Sequence, residues 1–203
     1  MQATGPRATR PPARTGIAEG PAGMPHLAGA AASLRQRMAA HFVDGLAHVV
    51  EIGGHLSPVS QFLTDIPDSF TCIDPKAAPF VSGELAGRAC QVRHIDRKFQ
   101  DVELGLQPAS YGLVFVGYSL KPFGKREPVG EKLFALMHNA AVTVIEYAVN
   151  LERASSQIEA IMQHARLDVM ADVEFRIADG VMEQSAYNQR RLLALRPTGE
   201  AGA

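Results

Sequence analysis

The sequence predicts one α/β domain with a doubly wound, mostly parallel sheet, and three observations carry that expectation. Short apolar runs alternate with segments of helical periodicity along most of the chain. The first apolar run stops at a pair of glycines, as a strand does when it turns at once into the next element. The last two runs, 168–177 and 189–195, leave no room between them for a packed crossover helix, so they are expected to pair as an antiparallel hairpin. Such an alternation builds a three-layer domain that binds ligands at the carboxyl ends of its strands.

The elements follow in order. Residues 1–25 are rich in Pro, Gly and Ala, carry Arg7, Arg10 and Arg14 and show no apolar periodicity, which predicts a disordered tail. The folded domain is expected over 26–197, with 198–203 as a disordered C-terminus. Leu27, Ala31, Leu34, Met38 and Phe42 recur at helical spacing and predict an amphipathic helix ending near Gly45. AHVVEI (47–52) reads as a first strand covered on both faces. Ser57 and Pro58 fit a helix N-cap and first helical position, and Leu56, Val59, Phe62, Leu63 and Ile66 supply an apolar face, so a helix is expected next. FTCID (70–74), ACQVRHI (89–95) and YGLVFVGY (111–118) read as strands, with a helical stretch near 76–86 between the first two. A helix around Leu133, Leu136 and Met137, the strand AVTVIEY (141–147) and a helix bearing Leu151, Ala154, Ile158, Ile161, Met162 and Ala165 precede the hairpin.

Composition narrows the function. The chain has 203 residues, a formal charge of −1, 46% apolar and 20% charged residues, a neutral globular balance that predicts no nucleic-acid partner. No apolar run approaches the roughly 18 residues of a membrane-spanning helix, and none has the form of a secretory signal, so no membrane partner is expected. Cys72 and Cys90 fall in apolar runs and read as buried thiols, in keeping with a cytoplasmic location. The seven histidines show no ligand spacing, and no metal site is expected.

The first strand runs into EIGGHLS (51–57), the second ends in Asp74 of CIDP, and the third is followed by Asp96 of RHIDR. With the terminal hairpin, these residues resemble the class I S-adenosylmethionine (SAM) methyltransferases over roughly residues 27–196. That family has a seven-stranded Rossmann-like sheet ending in such a hairpin, and a loop reading acidic, any, Gly, any, Gly, any, Gly. Glu51 and Gly53 match that loop, Gly54 falls where the family accepts many residues, and His55 and Ser57 stand where it has glycines. Glycines at such a turn let the backbone approach a ligand, and the free N–H groups of a following helix receive a carboxylate. A carboxylate about 20 residues beyond the glycines suits ribose hydroxyls in any adenosyl-binding fold of this type.

The resemblance implies SAM as cofactor, held by Glu51, Gly53, Gly54, His55, Asp74 on the ribose and Asp96 on the adenine amino group. It places Tyr118 beside the transferred methyl group, where an aromatic ring attracts a sulfonium. The loop 116–130 also carries Lys121, Phe123, Lys125 and Arg126, which favour an anionic acceptor. The activity so implied is methyl transfer to a small molecule, with His55, His94 or Glu146 as base where the acceptor needs one. Two alternatives keep the fold: a noncatalytic methyltransferase-like binding or assembly subunit, and a SAM-using aminocarboxypropyl transferase or cyclase.

Overall fold

The computed structural model describes residues 27–54, 58–116, 129–149, 158, 162, 166–176 and 189–198. The N-terminal tail, residues 55–57, the loop bearing Tyr118 and most of the segment 150–165 lie outside the described residues. Helix α1 spans Leu27–Val43 and leads through Gly45 into strand β1, His48–Ile52. Strands β2 (Ser69–Ile73), β3 (Phe80–Leu85), β4 (Arg88–Ile95) and β5 (Tyr111–Val116) follow, then helix α2 (Val129–Asn139) and strands β6 (Val142–Ala148), β7 (Leu167–Arg176) and β8 (Gln189–Pro197).

One sheet of eight strands forms, in the order β3-β4-β2-β1-β5-β6-β8-β7. The pairs β1–β2, β2–β4, β1–β5 and β5–β6 are parallel. The expected terminal hairpin is present, β7 and β8 pairing antiparallel with β8 laid antiparallel against β6. From β1 the chain first builds outward through β2 and β4, then returns to β5 on the other side of β1. The switch in direction therefore lies between β1 and β5, where open α/β sheets bind ligands.

Two predicted helices are replaced. The stretch 76–86, expected as helical, holds edge strand β3, which raises the expected seven strands to eight. Ala86 and Gly87 both have positive φ (49° and 75°), the geometry of a two-residue hairpin turn, and Leu85 pairs with Arg88 across it. The second replacement follows β1, where a single 3-10 turn, Val59–Phe62, stands in place of the expected helix. Pro58 is its N-cap, with extended backbone, and Leu63 is already extended again. Two causes act beyond the turn. The Asp44 carboxylate accepts from the amides of Thr64 and Asp65, at 3.1 and 2.9 Å, and fixes them in a loop. Pro67 disfavours helical backbone at Ile66. The apolar residues that suggested a helix are buried nonetheless: Val59 lies in the core, with Phe62, Leu63 and Ile66 against it.

With no crossover helix after β1 or β2, α1 covers that face of the sheet. Ala39, Ala40 and Val43 pack with Val49, Phe70, Cys72, Val114 and Val144. The other face buries Val50, Ile52, Leu113 and Phe115 with Leu133 and Met137 of α2 and with Ile158. Val43 meets β5 at Gly112, near the strand's start, where an added Cβ would stand 2.8 Å from Val43 and 2.9 Å from Leu46. At its other end Arg35 reaches Glu146, near the end of β6, at 2.8 Å. Helix α1 therefore runs antiparallel to the parallel strands. Arg190 of β8 closes the ion pair with two bonds to the Glu146 carboxylate, at 2.6 and 2.7 Å.

Gly112→Ala is expected to destabilise the domain by about 1–3 kcal/mol, because Val43 is fully buried and has no space to withdraw. A urea midpoint equal to that of the unmodified chain would disprove the close approach of α1 to β5. Glu146→Ala, which removes the carboxylate held by both Arg35 and the buried Arg190, is expected to cost about 3–5 kcal/mol in the same measurement.

Candidate functional site

The carboxyl ends of the parallel strands align the residues singled out in the sequence. Ile52 pairs with Ile73, and Ile73 with Ile95, so one step further Gly53, Asp74 and Asp96 fall in one row across β1, β2 and β4. Two backbone bonds carry the ladder to this row: the Gly53 amide donates to Ile73 O and the Asp74 amide to Ile95 O, both at 3.0 Å. On the other side of β1 the row continues through Val116 to Glu146. Gly53 has φ of 95°, which a side chain rarely permits, so glycine lets the chain leave β1 here.

Asp74 is buried and shapes its own turn. Its Oδ1 accepts from the Lys76 amide at 2.8 Å, and its carbonyl accepts from the Ala77 amide at 2.9 Å. The Asp-Pro dipeptide thus forms a local turn that holds the carboxylate at the strand end. Asp96 is exposed at the corresponding place on β4.

Glu51 lies beneath this row and is 0% exposed. Its register partners are Cys72 on β2 and Val114 on β5, so an acidic side chain occupies the apolar centre of the sheet. Oε2 accepts from the Val59 amide at 2.8 Å, while Oε1 is buried without a hydrogen-bond partner. Gly54 closes over the carboxyl so tightly that an added Cβ would come within 2.1 Å of it. Gly54 is therefore a glycine because Glu51 fills the space a side chain would need. Burial pushes the Glu51 carboxyl up to about 8; the Val59 amide opposes that rise and the nearby Asp74 carboxylate adds to it. Burial, followed by Glu51 and Asp74, likewise pushes the Cys72 thiol up to about 12, which leaves it an inert packing group.

The structure thus brings together Glu51, Gly53, Gly54, Asp74 and Asp96, while His55 and Tyr118 lie outside the described residues. The helix expected to offer free amides after the glycines is absent, and the first amide of the 3-10 turn is taken by Glu51. Of the histidine and glutamate bases considered, Glu146 is held by two arginines. His94 stands on β4 between the rings of Phe70 and Phe80, with burial lowering its pKa. Sequence reasoning missed Cys72 and the Val59 amide as the surroundings of Glu51. Aligning the two strands by their acids would instead have set Glu51 level with Asp74, whereas the register pairs it with Cys72. Among the described residues no group of His, Cys, Asp and Glu could hold a metal ion. No helix among them is long and apolar enough to cross a membrane.

No protein-family model matches the sequence, and no curated protein matches it. Solved structures do. N-methyltransferase NodS from Bradyrhizobium japonicum WM9, in complex with S-adenosyl-L-homocysteine, matches with a TM-score of 0.56 at 13% identity, over 88% of this chain and 90% of that one. Magnesium protoporphyrin IX methyltransferase from Synechocystis PCC 6803, with bound SAM, matches at 0.51 and 12% identity, over 85% and 80%. A Pyrococcus horikoshii protein described provisionally as an RNA methyltransferase matches at 0.53 and 12% identity, over 86% and 85%. The strand order, the terminal hairpin and these likenesses agree: the chain has the fold of the class I SAM-dependent methyltransferases.

Proposed function

We propose that the protein is a SAM-dependent methyltransferase whose cofactor lies across the row Gly53, Asp74 and Asp96. One observation supports the reading: Gly53, Asp74 and Asp96 align in one row at the carboxyl ends of β1, β2 and β4, in a sheet with the methyltransferase strand order. The acidic side chains of Asp74 and Asp96 in that row suit a ligand bearing a sulfonium and an ammonium group better than the pyrophosphate of a dinucleotide.

The residues present fit SAM on three points. Asp74 offers a rigid carboxylate for the ribose hydroxyls, Asp96 an acceptor for the adenine amino group, and Gly53 a backbone free of side-chain obstruction. Glu51 acts at one remove, holding Gly54 and Val59 in place rather than touching the ligand. When bound, SAM supplies an electrophilic methyl group. The chain's part is then to align the acceptor and exclude water, which suffices for an acceptor that is already nucleophilic. Glu146, spent on Arg35 and Arg190, stabilises the α1 face instead of serving as a base. The family resemblance implies a small-molecule acceptor, with Tyr118 bordering it.

The 3-10 turn after the glycines favours one competing reading, a methyltransferase-like subunit that does not hold SAM, because among the described residues of that connection the first amide of the turn is committed to Glu51 and no longer helix follows it. Calorimetric titration with SAM separates the two. Asp74→Asn keeps the turn, since asparagine also accepts from the amide two residues on, and removes the charge. It is expected to weaken SAM binding about tenfold, equivalent to roughly 1.4 kcal/mol, with an unchanged melting temperature. Equal affinity in the variant would remove Asp74 from the site.

Glu51 gives a pH signature. Its folded pKa of about 8 lies above the ordinary carboxyl value of 4.5, so between those values the folded state binds the extra proton. Stability from this group is thus fully present below about pH 4.5 and is lost as pH rises through about 8. Glu51→Gln is expected to flatten the fall in melting temperature over that window, and an unaltered pH profile would contradict the buried neutral carboxyl.

A further inference from the structure

Strand β7 ends the sheet on one side and, among the described residues, has no strand on its outer edge, although at ten residues it is the longest of the strands. An open edge of that length is a template for another chain, and proteins ordinarily close one with a lysine, a proline, a bulge or an inward-pointing charge. A bulge does interrupt the first half of β7, where the register with β8 shifts between Val169 and Ala171. Residues 171–176 then run in unbroken register with β8 and hold no lysine, no proline and no inward charge.

The two faces of this segment differ. Asp172, Glu174 and Arg176 alternate on one face and are exposed. Each charge on that face is matched within the chain. Arg191 of β8 donates to the Asp172 carboxylate through Nε, at 2.6 Å, and through Nη2, and Arg176 Nε donates to Glu174 at 2.9 Å. The carboxylates and guanidiniums balance, so this face repels no second copy of itself. The opposite face carries Ala171, Val173 and Phe175, all half-buried, with Ala171 and Phe175 against the core that α1 covers.

We propose that the β7 edges of two copies of this chain pair antiparallel about a two-fold axis at Glu174, so that one sheet runs through both. In that register the segment is complementary to itself. On the apolar face Val173 of each copy stands opposite Phe175 of the other, a β-branched residue against an aromatic, which is a favourable cross-strand pair. On the charged face Asp172 of each copy stands opposite Arg176 of the other, twice by symmetry. Each Arg176 then lies between Glu174 of its own chain and Asp172 of the second. The two Glu174 side chains meet at the axis, a like-charge pair that the flanking arginines offset. Neighbouring two-fold registers fit less well: an axis at Val173 sets Asp172 against Glu174 twice, and an axis at Phe175 leaves only 174–176 of each β7 to pair. A ladder over 172–176 has the length of an ordinary strand but makes a small interface, so a dissociation constant on the order of 10 μM is expected. Because β7 and β6 both run antiparallel to β8, they are parallel to each other, and the two-fold axis sends the crevices of the two copies to opposite ends of the joined sheet. The dimer therefore leaves the row of Gly53, Asp74 and Asp96 uncovered and does not depend on the methyltransferase reading.

The test is sedimentation velocity of the whole chain from about 1 to 200 μM, a range that brackets a weak interface of this size. A concentration-dependent passage from monomer to dimer is expected, and no larger species, since a two-fold contact closes on itself. Arg176→Glu, at an exposed side chain, sets a carboxylate against Asp172 of the other copy and is expected to weaken dimerisation about tenfold or more, with the melting temperature of the dilute chain unchanged. Glu174→Gln removes the like-charge pair at the axis and is expected to tighten the dimer about twofold or more, a gain that loss of folding stability cannot imitate. A monomer at every concentration, a dimer that Arg176→Glu leaves intact, or a dimer that Glu174→Gln weakens would each overturn the proposal.

Discussion

The coverage of one sheet face by α1 is the constraint on which the rest of the structure depends. In a doubly wound fold the crossovers between parallel strands normally supply helices to both faces. Here the β1–β2 connection holds one 3-10 turn, and the route from β2 to β4 passes through an edge strand. The face bearing Val49, Phe70, Cys72, Val114 and Val144 must therefore be closed by the helix that precedes the sheet, and α1 does so with small residues, Ala39 and Ala40, that let it lie close. Gly112 is the matching concession from β5, and the ion pairs of Arg35 and Arg190 with Glu146 fix the other end.

That economy reaches the candidate site. A long helix after the glycines would carry its own hydrogen bonds, whereas the short turn needs an acceptor from elsewhere, and Glu51 provides it from the middle of the sheet. A buried acid is a costly acceptor in apolar surroundings, and burial favours its neutral form, with no lysine or arginine paired to it among the described residues. The departure of the glycine motif at positions 55 and 57 thus goes with a changed connection after β1, in which Gly54 and Glu51 fit each other as a pair.

Much of the fold was legible in the sequence, because apolar runs such as 47–52 and 141–147 are buried on both faces and read as strands without further information. The alignment of Gly53, Asp74 and Asp96 was legible too, since each closes a run that pairs in parallel with its neighbour. What misled was periodicity at 56–66, where Val59 is buried and Phe62, Leu63 and Ile66 are partly buried, but in a 3-10 turn and irregular backbone fixed by Asp44 and Pro67. Strand β3 was hidden for the opposite reason. An edge strand of alternating exposure, turned by Ala86 and Gly87 rather than by Asn-Gly, carries little apolar signal.

The direction of α1 also decides where the chain departs from the domain. Leu27 lies at the end of the sheet that holds Asp74 and Asp96, whereas β8, antiparallel to β6, delivers Pro197 and Thr198 to the opposite end beside Arg166. Any polypeptide preceding Leu27 starts near the mouth of the crevice, and any following Thr198 starts on the far side. A surface or fusion attached through the C-terminal end leaves the ligand-facing side open, while one attached through the N-terminal end crowds it.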